Sequence, residues 1–158
     1  MLLNAPEFNE KRENRNRNIL IGSGLLIVAI GILALAGFVL GHGWFFINLP
    51  VEHRIGTFLG ALQQKDYPRA YGIFYNDADW QQHPQKYKDY PLDRFTEDFT
   101  TESDWKSPVD SYHVDFSRRD ASGTVVASTI NGSTHLTLHY SRQDGTIAFF
   151  PYVLTRGF

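Results

Sequence analysis

The sequence predicts an α+β fold carried behind a membrane-spanning helix. Three observations predict it: a long uncharged apolar run near the N-terminus, helical spacing of apolar residues between positions 51 and 99, and alternation with hairpin signals after position 110. Helices come first and strands second, so the two kinds of element are segregated along the chain rather than interleaved.

The N-terminal 18 residues hold Lys11, Arg12, Arg15 and Arg17 against Glu7, Glu10 and Glu13. Rich in Asn, Arg and Glu and poor in apolar surface, they are expected to be a disordered tail over 1–18. Ile19 to Leu40 follow without a charge, and Ser23 is the one polar side chain among them. As a helix the run spans about 33 Å, which matches the ~30 Å hydrocarbon core of a bilayer. Ala34-Leu35-Ala36 before Gly37 has the form of a signal-peptidase site, and cleavage there would release a secreted domain. A secretory apolar region is usually about 7–15 residues long, whereas Phe38, Val39 and Leu40 carry this one past the site. Trp44, Phe45 and Phe46 then stand where an interfacial aromatic belt falls. The expectation is a retained anchor over 19–43, marked by Ile19, Leu40 and Trp44, with an interfacial linker over 44–50 that Pro50 ends.

Orientation follows from flanking Lys and Arg. Four basic residues precede Ile19, and only Arg54 falls within 15 residues after Leu40. The N-terminus is therefore expected in the cytoplasm and the domain over 51–158 in the periplasm or outside the cell. The bilayer is the first expected partner. Gly37-x-x-x-Gly41 also offers a helix-packing face on which two copies would pair, although a span holding Gly22, Gly24 and Gly31 produces such spacings by chance.

Val51, Ile55, Phe58, Leu59 and Leu62 form one apolar stripe of an amphipathic helix. Asp66-Tyr67-Pro68 supplies an N-cap and an early proline for a second helix, "PRAYGIFY". "NDADWQQHPQKYKDYP" is polar and mixes a helical turn with loop. "PLDRFTEDFTTE" returns to helical spacing through Leu92, Phe95 and Phe99. Beyond Trp105, Tyr112, Val114 and Phe116 alternate in the first strand, and "TVVASTI" is the second. Asn131-Gly132 is a two-residue hairpin turn into "STHLTLHYS". Asp144-Gly145 turns the chain once more into "TIAFFPYVLT". A four-stranded antiparallel meander results, with one face expected to lie under the first long helix of the domain.

"FLGALQQKDYPRAYGIF", a helical hairpin with Asp-Tyr at the bend, resembles the opening of nuclear-transport-factor-2-like (cystatin-like cone) domains. "PLDRFTEDF" and "DGTIAFFPYVLT" fit later parts of that pattern. The resemblance covers about 51–158 and rests on element order and aromatic placement. It implies a cone-shaped α+β domain on which many unrelated functions are built. Bacterial members include membrane-anchored outward-facing domains of unknown function, assembly components of type IV secretion systems, and ligand-binding isomerases and cyclases.

The enzymatic members use a Tyr/Asp or His/Asp set inside the cone. Against that pattern Tyr71, Asp77, Asp79, His113 and His135 are catalytic candidates, with Asp115 and His139 beside them. None is fixed in register by a motif. His113 and Asp115 alternate with Tyr112, Val114 and Phe116 and are expected to face water, as are His135 and His139 between leucines. Four residues apart on a strand, the latter two lie about 13 Å from each other, too far to share an ion. "DADW" has the start of a calcium loop but lacks its later ligands, and is expected to be a cap or turn. No cofactor or metal is expected.

Composition narrows the partners. Residues 52–158 carry 11 Lys and Arg against 14 Asp and Glu, a balance that argues against nucleic acid. The chain has no cysteine, which excludes disulfides, thiol nucleophiles and Cys-based zinc sites. The function these features favour is a membrane-anchored, non-catalytic interaction or assembly module meeting a membrane or periplasmic protein. The alternatives are a tethered pocket domain that binds or converts a small apolar ligand, and a cleaved, secreted form of the same domain.

Overall fold

A computed structural model describes residues 10–105 and 107–151. Its first element, α1 (Glu10–Leu40), is a single 31-residue helix. Residues 10–18, expected to be unfolded, continue this helix toward the N-terminus. Arg, Lys and Glu are good helix formers, and a turn added to an existing helix avoids the cost of nucleation. α1 is long and apolar enough to cross a membrane, and none of its apolar window is buried in the chain.

The helix ends at Leu40, three residues short of the expected boundary. His42 N–H donates to the Gly37 carbonyl at 2.9 Å and Gly41 N–H to the Phe38 carbonyl at 3.1 Å. These two bonds make a Schellman cap, which needs a left-handed residue just past the helix. Gly41 supplies it at φ +87°. Gly41 is thus the terminator of α1, and Gly37 is the one residue of α1 buried by the chain itself.

α2 (Phe45–Gln63) begins where the interfacial linker was expected. Pro50 lies inside it instead of ending the segment. Proline removes one N–H from the helix ladder, and the inward-facing neighbours Asn48, Val51 and Glu52 hold the turn in place. Ile55, Phe58, Leu59 and Leu62 are fully buried, so the sequence stripe is the core face. Asp66 accepts the Arg69 amide at 3.2 Å and caps α3 (Tyr67–Phe74), with Pro68 in its first turn. Two 3₁₀ turns, Trp80–Gln82 and Pro84–Tyr87, cross the polar stretch before α4 (Leu92–Asp98).

Strands β1 (Tyr112–Arg119), β2 (Gly123–Ile130), β3 (Thr134–Ser141) and β4 (Ile147–Phe149) form an antiparallel sheet in the order β1-β2-β3-β4. The expected meander is present, with α2 against β1 and β2. The expected extension of the last strand into Tyr152, Val153 and Leu154 lies outside the described residues. Asn131 and Gly132, at φ +51° and +76°, make the hairpin turn between β2 and β3. Between helices and sheet, Phe58, Phe74, Phe95 and Phe99 meet mostly edge-on, with ring centroids 4.7–6.3 Å apart. Burying each such ring contributes about 2–3 kcal/mol, and the edge-on geometry suits the aromatic quadrupole.

One irregularity resets the sheet. Val114 pairs with Ser128, yet Phe116 pairs with Ala127, so Asp115 is an extra, bulged residue. Side-chain parity inverts beyond it. Phe116, expected beside Tyr112 and Val114, turns to the outer face, and Ser117 turns to the inner one opposite Val126.

Candidate functional site

The inversion at Asp115 places Ser117 against the chain that leaves α1. Ser117 N–H donates to the Gly41 carbonyl at 3.2 Å, and its hydroxyl donates to the His42 carbonyl at 3.2 Å. The Asn48 amide donates to Ser117 Oγ at 3.0 Å from the first turns of α2. Asn48 is 1% exposed and Ser117 is buried. Gly43 closes the knot at φ +61°. A Cβ there would stand 2.6 Å from Asn48 Nδ2, so only glycine fits this approach.

Beside the knot, His42 Nδ1 lies 2.9 Å from both carboxylate oxygens of Glu52, which is only 8% exposed. A carboxylate so buried is costly unless paired, and His42 is its partner. The pair stands at a cleft of about 380 Å³ lined by Leu33, Ala36, Gly37 and Leu40 of α1 and Leu49 and Glu52 of α2. Trp44, Phe46, Ile47 and Leu49 present large apolar side chains to the outside, and Trp44 packs edge-on against Phe38 with centroids 5.3 Å apart. Sequence reading marked Trp44 and Leu40 here but missed Ser117, Asn48, His42 and Glu52. The available signal was Asn48 and Glu52 at i,i+4 on an otherwise apolar first turn, with "GHG" just before it.

The catalytic candidates do not converge. Tyr71 is fully buried, ringed by Tyr75, Trp80, Tyr87 and Phe95, and its hydroxyl donates to the Tyr90 carbonyl at 2.5 Å. Burial, with Tyr75 beside it, raises its pKa well above the ordinary tyrosine value. Asp77 accepts the Tyr87 hydroxyl and, at 3.3 Å, the Lys86 ammonium. The Tyr87 bond chiefly holds its pKa below the usual carboxylate range, against a smaller opposing effect of burial. The Asp79 amide donates to Asp77 Oδ1 at 3.1 Å, so "DADW" is a turn leading into a 3₁₀ segment. Asp79 itself is exposed.

His113, Asp115, Thr129 and His135 meet on the outer face of the sheet. The Thr129 hydroxyl donates to Asp115 Oδ2 at 2.8 Å and lies 3.4 Å from His135 Nδ1, while His113 pairs with Thr129 across the strands. His139 Nε2 approaches Ser122 Oγ at 3.0 Å and Asp120 Oδ2 at 3.5 Å. In a catalytic triad the carboxylate holds the other ring nitrogen. Here Asp120 and Ser122 share one nitrogen, and Asp120 Oδ1 also accepts the Ser122 and Gly123 amides to close the β1–β2 hairpin. Burial opposes the Asp120 charge, but these bonds and His139 outweigh it and lower its pKa. Among the described residues, no three His, Asp or Glu side chains group so as to hold a metal ion.

Comparison with protein families, curated proteins and solved structures found no match to this chain.

Proposed function

We propose that the chain is a single-pass membrane protein whose C-terminal domain faces the periplasm or cell exterior and works as a non-catalytic interaction or assembly module. Its scaffold in this reading is the nuclear-transport-factor-2-like cone, supported by helices α2–α4 on the inner face of a four-stranded meander. The observation that carries the non-catalytic reading is the filled interior. Phe58, Phe74, Phe95 and Phe99 occupy the space between helices and sheet, where an enzyme of that family would keep its acid and base.

Retention of α1 is supported by what lies past Ala36. Gly37 is buried, its carbonyl takes part in the helix cap, and Gly41 and His42 are bonded to β1. Cleavage at Ala36-Gly37 would leave these residues as a new N-terminus and break the last turn of the helix. Outward orientation of the domain is supported by the four basic residues before Ile19.

The chain has no cysteine, so single-cysteine reporters test topology directly. Lys11→Cys and Ser133→Cys, both at exposed positions, are treated in intact cells with a membrane-impermeant maleimide. Labelling at 133 and not at 11 is expected; the reverse pattern overturns the orientation. A mature N-terminus at Gly37 overturns the anchor. A purified chain holding one small apolar molecule between Phe58 and Phe95 would establish the pocket reading in place of the assembly one.

A further inference from the structure

We propose that the cleft between the end of α1 and the start of α2 binds one acyl chain of a zwitterionic phospholipid, with its headgroup at the His42–Glu52 pair. The inference rests on reading α1 as a membrane helix and adds a ligand to it.

The cleft is two-ended in the way an amphiphile is. Leu33, Ala36, Gly37, Leu40 and Leu49 make its apolar walls, and His42 and Glu52 are its polar residues. The apolar walls continue the exposed face of α1, so the cleft opens into whatever medium surrounds that helix. Gly37 and Ala36 create the space by presenting almost no side chain. The occupant is limited by size. The cleft holds about 380 Å³, at the small end of ligand pockets, a volume that suits a single acyl chain.

Charge chooses the headgroup. His42 commits Nδ1 to Glu52, and its Nε2 makes no hydrogen bond among the described residues. Nε2 is the ring nitrogen left to face a ligand, and when it carries a proton it donates to a phosphate oxygen. Glu52 has carboxylate lone pairs beyond those facing His42, and these suit an ammonium group. A phosphate and an ammonium on one headgroup, as in phosphatidylethanolamine, mirror this pair of side chains.

The full chain is reconstituted in nanodiscs containing phosphatidylethanolamine and phosphatidylglycerol, with a photoactivatable diazirine in the phosphatidylethanolamine acyl chain. Adducts are mapped by mass spectrometry after irradiation. Adducts are expected on Leu49 as well as on Leu33 and Leu40. Ala36→Phe, which fills the cleft, should lower the Leu49 adduct about tenfold, a loss of roughly 1.4 kcal/mol in binding, and leave adducts on Leu25 and Leu26 unchanged. Leu33→Trp is a second filling variant, in case the first does not fold. Glu52→Gln should remove the preference over an equally labelled phosphatidylglycerol. Adducts along α1 with none on Leu49, or a Leu49 adduct that survives both filling variants, overturn the cleft proposal and leave the membrane reading intact. Absence of adducts anywhere on α1 overturns both. A Leu49 adduct equally strong with a free diazirine fatty acid would show that the headgroup does not select the occupant and would overturn the zwitterionic assignment.

Discussion

Asn131 shows how one side chain can do two structural jobs. It adopts the positive φ of the β2–β3 turn, and its amide holds the loop before β1. Its Oδ1 accepts the Asp110 and Ser111 amides at 2.8 and 3.1 Å, and its Nδ2 donates to Ser107 Oγ and the Pro108 carbonyl at 3.2 and 3.1 Å. Asn131→Ala should lower unfolding free energy by about 2 kcal/mol in urea titrations, since two backbone donors lose their partner. Asn131→Asp, which keeps the acceptor oxygen, should cost less; an equal loss for both variants would refute this division. Ser128 gives the opposite sign. Its hydroxyl is fully buried on the inner face and has no hydrogen-bond partner among the described residues, so Ser128→Ala should be neutral or stabilising by up to about 1 kcal/mol. Titratable side chains bound the pH range. Asp77, Asp120 and Asp144 all lie below the ordinary carboxylate value in the folded chain, Asp144 chiefly through Ser141 and Thr146. The folded state therefore binds protons less readily than the unfolded one. The stability these groups add is complete above about pH 4 and is lost as pH falls through their depressed values. Tyr71 and Tyr90 are raised, mainly by burial. Their contribution is complete below about pH 10 and is lost as pH rises through the raised values. Urea midpoints should fall at both extremes, and a midpoint that rose below pH 4 would contradict the acid limb.

At the scale of elements, most of the secondary structure was legible because its signals are local. The stripe from Ile55 to Leu62, the Asp66 cap, the proline before α4 and the Asn131-Gly132 turn each act within a few residues. The features that build the junction are not local. Asp115 is bulged because of how β1 pairs with β2, and alternation in "YHVDF" gives no sign of it. Pro50 stays within α2 because Asn48 and Glu52 are held by partners distant in sequence, Ser117 and His42. The knot was therefore hidden, and Asn48 fell within the stretch expected to be the linker over 44–50. Gly43 offers a test of its tightness. Gly43→Ala adds a methyl 2.6 Å from Asn48 Nδ2 at a positive φ, and should destabilise the chain by about 1–3 kcal/mol. Gly132→Ala, also at positive φ but with open space around it, is the comparison that separates backbone strain from the clash. If the two substitutions cost the same, the close approach to Asn48 contributes nothing.

For the whole molecule, the junction is expected to fix the angle between α1 and the domain. A flexible tether would let an outward domain sample many orientations above a membrane. Here Ser117 bonds to both Gly41 and His42, Asn48 bonds to Ser117, and His42 pairs with Glu52, so the first residues after α1 are tied to β1 and α2 together. These groups are largely shielded from water, and hydrogen bonds so placed are stronger and harder to exchange than exposed ones. If the domain is the assembly module proposed above, a fixed angle would present the same face of it to partners at a set height above the lipid. Spin labels on Ser23→Cys in α1 and Ser133→Cys at the β2–β3 turn report this angle by pulsed electron-electron resonance in nanodiscs. The unmodified junction should give a narrow distance distribution, and Asn48→Ala combined with Ser117→Ala should broaden it. Because α2 keeps its Phe58 core face in that variant, circular dichroism should show the domain still folded. A broad distribution in the unmodified junction would mean that the domain turns freely on α1, and that the bonds at Ser117 do not set its orientation.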